Sequence, residues 1–78
     1  MRDHLISPRA IERLADLNAT DAELEIIEAQ VALLAKNPTL GYLLPFSAPC
    51  DLRRYDVGRF GLIYKFNDAR VEIVTVVR

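Results

Sequence analysis

The chain predicts an α+β fold: an N-terminal helical hairpin packed on a small, mainly antiparallel sheet of three to four strands. Three observations carry this. Two helix-forming stretches, each with its own start signal, fill residues 7–37. Three strand-like runs separated by tight turns fill residues 52–77. And 51% of the 78 residues are hydrophobic, enough for a core without disulfide or metal staples and well above the level of disordered chains. Residues 1–78 are expected to form one domain, since domains typically run to about 100–150 residues.

Leu5-Ile6 reads as a short edge strand. Ser7 is a natural N-cap, and Pro8 follows at the first helical position, where a missing N–H removes no bond. Ile11, Leu14 and Ala15 then recur at helical spacing, with Arg9, Glu12, Arg13 and Asp16 on the wet side. Thr20-Asp21-Ala22-Glu23 matches a capping box, in which the hydroxyl and the carboxylate each satisfy a backbone N–H of the other residue. The second helix runs to about Lys36 on an apolar stripe of Leu24, Ile27, Val31 and Leu34, widened by Ile26, Ala32 and Leu33. Asn37-Pro38 stops it, because a residue before proline avoids helical angles. A link of two or three residues between the helices predicts an antiparallel hairpin.

Leu40, Gly41, Tyr42, Leu43, Leu44, Pro45 and Phe46 are apolar without period. They read as a loop tucked under the sheet, or as a docking surface for a partner. Strands are expected at 52–57, 59–66 and 70–77, with Gly58 between the first two and Asn67-Asp68 in a hairpin turn. Phe60, Leu62, Tyr64 and Phe66 share the face that meets the helices. In the last strand Val71, Ile73, Thr75 and Val77 share one face and Val74 and Val76 the other, which predicts a central position.

The lone cysteine, Cys50, allows no intramolecular disulfide, and no apolar run is long enough to span a membrane, so a cytoplasmic protein is expected. A net charge of −1 argues against strong non-specific nucleic-acid binding. The charge is unevenly placed: Asp16, Asp21, Glu23, Glu25 and Glu28 crowd the first half, and Arg53, Arg54, Arg59, Lys65, Arg70 and Arg78 the second. The cations of the sheet carry two readings, contact with phosphate or an acidic partner, or simple protection of an exposed sheet. Tyr64 has the parity of a core residue rather than of a general acid. Asp21, Glu25 and Glu28 form a wet helical stripe, His4 precedes every expected element and is expected to be a solvent-exposed terminal residue, and nothing points to a cofactor or a metal.

The ordered set of two helices, then Leu52-x-Arg54-x-x-Val57-Gly58-x-Phe60-x-Leu62-Ile63-Tyr64 and Val71-x-Ile73-Val74-x-Val76-x-Arg78, resembles the RelE/ParE superfamily of type II toxin–antitoxin toxins. Asn37-Pro38 with Gly41-x-x-Leu44 is similar to its connector, and the resemblance spans residues 7–78. It implies a toxin, of a kind tied to plasmid stabilisation, whose cognate antitoxin wraps it with a C-terminal segment. It implies action on the ribosome, by cleavage of mRNA, or on DNA gyrase. Arg54 and Arg78 fall where the family's nucleases carry functional cations. Arg53, Arg59 and Lys65 are candidate partner- or phosphate-binding cations. Phe60-Gly61 stands in place of the usual aromatic–Arg pair, Asp56 in place of a common basic residue, Val77 in place of a frequent histidine, and the terminal tyrosine of active nucleases is missing. These departures favour a ParE-like, non-nucleolytic toxin, or a catalytically degenerate relative that only binds its antitoxin.

Overall fold

The computed structural model describes residues 3–45 and 51–78. The elements are β1 (Asp3–Ile6), α1 (Pro8–Asp16), α2 (Asp21–Lys36), β2 (Tyr42–Leu43), β3 (Arg53–Val57), β4 (Phe60–Phe66) and β5 (Arg70–Val77). They form a five-stranded sheet in the order β1-β5-β4-β3-β2. β1 pairs with β5 in parallel, and every other pair is antiparallel.

Both helix starts form as their sequences predict. The Ser7 hydroxyl accepts from the Ala10 N–H at 3.2 Å and donates to the Val74 carbonyl at 2.8 Å, so one cap also fastens α1 to β5. Thr20 and Glu23 close a full capping box. α1 ends with Asn18 in the left-handed region at φ 56°, while Asn18 and Ala19 donate to the carbonyls of Ala15 and Leu14. That pair of bonds is a Schellman motif, which turns the chain sharply enough to start α2 within four residues.

One cluster of Ala10, Leu14, Ile27, Val31, Leu34, Phe60, Leu62, Tyr64, Val71, Ile73 and Val76 joins both helices to one face of the sheet. Both helices pack on the sheet as expected, α1 on β5 and α2 on β1, β5 and β3. An apolar cleft of about 470 Å³ lies at the two helices, lined by Ile6, Ile11, Leu14, Ala19, Leu24 and Ile27 among others.

The expected three to four strands are five. The connector supplies the additional one: Tyr42 and Leu43 pair with Arg54 and Arg53. They are 54% and 51% exposed and Leu40 is 49% exposed, so these side chains do not tuck under the sheet. Backbone hydrogen bonds to the β3 edge, rather than side-chain burial, place this segment, and two residues have no hydrophobic period to read. Phe46 and Cys50 lie outside the described residues. β1 begins at Asp3, which puts His4 inside a strand, opposite Val71.

β5 is central as expected, but its parity changes midway. Tyr64 pairs with Ile73 and Ile63 with Thr75, leaving Val74 as the extra residue of a bulge. The core therefore takes Val71, Ile73 and Val76, whereas strict alternation assigned Thr75 and Val77 to the face of Val71. The β3–β4 loop is Gly58-Arg59, since Val57 pairs with Phe60. Gly58 has φ +58°, the position that the two-residue primed turns reserve for glycine.

Candidate functional site

Strand alternation divides the arginines between the two faces of the sheet. Arg53, Tyr55 and Val57 pair with Tyr64, Leu62 and Phe60, and so lie on the helix side. Arg54 and Asp56 pair with Ile63 and Gly61 on the open face, where Lys65 and Tyr42 also fall by register.

Arg54 is partly exposed but lies along the sheet, paired within its own strand. Its Nε donates to Asp56 Oδ1 at 2.8 Å, and its guanidinium lies over Gly61. A Cβ at Gly61 would sit 2.6 Å from Nε and 2.7 Å from Cζ. The hydrogen bond to Asp56 raises the Arg54 pKa above its ordinary value, against an opposing effect of burial. Asp56 and Gly61, which looked like two unrelated departures, thus serve one arrangement. A carboxylate neutralises the cation, and a missing side chain lets it lie flat. The sequence held a signal for this: positions 54 and 56 share a face, and a two-residue turn puts 61 opposite 56.

Arg59 is held at the other end of the hairpin. Its Nε and Nη2 donate to the two Glu23 carboxylate oxygens at 2.8 and 3.0 Å, and Nη2 also donates to the Asn18 carbonyl at 3.1 Å. Its guanidinium carbon is 4.5 Å from the centroid of the Phe60 ring. Glu23 therefore both caps α2 and anchors the β3–β4 turn. The hydrogen bond from Arg59, reinforced by the Thr20 N–H, lowers its carboxyl pKa to about 2. The sequence shows Glu23 as a cap and as one of the acidic residues of the first half, with no sign of Arg59 as its partner.

Arg53 donates from Nη1 to the Gly41 carbonyl at 2.8 Å and lies 5.9 Å over Phe66. Tyr64 completes that corner: it is fully buried, its hydroxyl donates to the Pro38 carbonyl and accepts from the Gly41 N–H at 3.0 Å. Burial pushes its pKa up, so it is a staple for the connector and no accessible acid. Lys65 and Arg78 are exposed and make no ion pair among the described residues. Of the five candidate cations, only Arg54 and Lys65 share the open face, and the structure gathers no cluster of free cations from them. Among the described residues no three His, Cys, Asp or Glu side chains come together as metal ligands, and no helix is long and apolar enough to cross a membrane.

Two helices packed on one face of a five-stranded sheet, with no helix on the other face among the described residues, agree with the α+β architecture that the RelE/ParE resemblance implies. Over residues 5–78 the chain matches the family described as the ParE toxin of the type II toxin–antitoxin system, parDE, and it belongs to that family. No curated protein matches it.

Proposed function

We propose that the chain is the toxin of a type II toxin–antitoxin module, neutralised by a cognate antitoxin and acting without cleaving RNA, with DNA gyrase as its target. The observation that carries the non-nucleolytic part is the 2.8 Å pair of Arg54 with Asp56 over Gly61. Cleavage of RNA by such a sheet needs cations preorganised around the scissile phosphate to stabilise its developing charge. Here the best-placed cation is neutralised within its own strand, and a fixed carboxylate beside it repels phosphate. Membership of the ParE family rather than of its nuclease relatives supports the same reading. The chain would act in the cytoplasm as a single domain, without metal or cofactor.

A second reading, a degenerate module that only binds its antitoxin, is favoured by the same neutralised cation. Induction of the chain in cells, with and without the neighbouring small gene, separates the two. Arrest relieved by the neighbour, with intact mRNA in a translating extract and inhibited supercoiling by purified gyrase, is the expected result. Cleaved mRNA would overturn the non-nucleolytic assignment. Unimpaired growth with soluble protein would leave the binding module as the function.

A further inference from the structure

α2 carries two apolar stripes, and only one of them faces the core. Ile27, Val31, Leu34 and Ala35 are buried. Ala22, Ile26, Ala29 and Leu33 recur at alternating steps of four and three residues. At 3.6 residues per turn this puts them together on the side of the helix away from the core. All four are exposed, Ile26 at 55% and Leu33 at 39%. A helix that is apolar on both sides calls for a second partner, and the four–three spacing is that of a coiled-coil seam.

The geometry points to a second copy of this chain as the occupant, packed α2 against α2 in antiparallel fashion about a two-fold axis. The stripe alternates small and large, and this pattern is self-complementary only when the second helix is reversed. Ala22 then faces Leu33 of the other copy, and Ile26 faces its Ala29. A parallel pairing would set alanine on alanine and isoleucine on isoleucine, leaving voids beside overpacked layers. Charge selects the same direction. The first half of α2 carries Asp21, Glu23, Glu25 and Glu28, while its last eight residues carry only Lys36. Reversal lays the acidic half of one copy beside the half bearing Lys36 in the other, whereas a parallel pair sets acid against acid. The contact is isologous, as two-fold interfaces require. It is also small. One seam buries less than the ~1,200–2,000 Å² of stable complexes, so the association is weak and concentration-dependent. This inference does not rest on the toxin's target or on its activity.

Sedimentation of the full chain over a range of about 10 μM to 1 mM tests it. The mass is expected to rise with concentration from 8.8 kDa towards twice that value. Ile26→Ala should weaken the dimer by removing the large partner, and Ala29→Ile should weaken it by a clash. The double variant Ile26→Ala/Ala29→Ile restores large opposite small and should recover association, which neither a general loss of hydrophobicity nor misfolding would do. Circular dichroism of each variant checks that α2 is intact. A mass that stays monomeric at every concentration would overturn the proposal, as would a dimer indifferent to both single variants. Protection of this stripe by the antitoxin, with no self-association of the free chain, would assign the face to the antitoxin instead.

Discussion

The two ends of the β3–β4 hairpin are fastened in different ways. At the turn, Arg59 reaches from an exposed position to Glu23 and ties the loop to the start of α2 through charge. At the open end, Tyr64 and Arg53 hold the connector by hydrogen bonds to Pro38 and Gly41, two residues that are themselves buried. An exposed ion pair is screened by salt and contributes little on its own. A buried hydroxyl that satisfies two backbone groups has no water to replace it. The connector end is therefore the more sensitive of the two, although the turn end carries the more conspicuous charges. The conspicuous ion pair and the groups at the sensitive end are different residues here.

The largest effect should come from Tyr64→Phe. It leaves the Gly41 N–H and the Pro38 carbonyl buried without a partner, which costs about 1–3 kcal/mol. Thermal or urea unfolding should show it directly, and a loss within experimental error would mean that water reaches this corner. Gly41→Ala probes the same end, because a Cβ there would lie 2.6 Å from both the Arg54 carbonyl and the Tyr64 hydroxyl. Overpacking of this kind costs about 1–3 kcal/mol.

At the turn end, Thr20→Ala removes a helix cap, with an expected loss of about 1 kcal/mol. The pH dependence there is specific in sign. The Glu23 carboxyl has its pKa lowered from 4.5 to about 2 in the folded chain, so the folded state holds its proton less tightly than the unfolded one. Its stabilisation is fully present above pH 4.5 and is lost as the pH falls from there through 2. Unfolding of Glu23→Gln should lack that part of the acid slope, and high salt should flatten it in the parent chain. An unchanged slope would show that other carboxylates account for it.

The smallest effect on stability, and the most pointed on function, belongs to the open face. Asp56→Asn should remove the charge that neutralises Arg54 with little change in stability, since the pair is exposed. Binding of single-stranded RNA to the isolated protein should then rise, and should be most apparent at low salt. Gly61→Arg is a harsher version: its Cβ must push the flexible Arg54 guanidinium aside while adding a second cation. If neither variant gains RNA affinity, neutralisation of Arg54 is not what separates this sheet from a nuclease surface.

The amino-acid sequence determined, by itself, whatever local chemistry decides. Ser7-Pro8, the Thr20–Glu23 capping box and the Asn37-Pro38 stop set the helix limits, because caps and proline act within a turn of themselves. Alternation in residues 52–66 determined which side chains of β3 and β4 reach the core. The ordered motifs led to the toxin family. Tertiary structure decided the rest. The two-residue β2 exists only because the β3 edge has free backbone groups to pair with. The bulge at Val74 redirects β5, and its carbonyl receives a hydroxyl from Ser7, 67 residues away in the chain. The arginines were visible as a basic cluster, but their partners were not. Glu23 lies 36 positions before Arg59, and Gly41 lies 12 before Arg53. Whether a cation is free or neutralised depends on distances between segments remote in sequence, and no local pattern contains those distances.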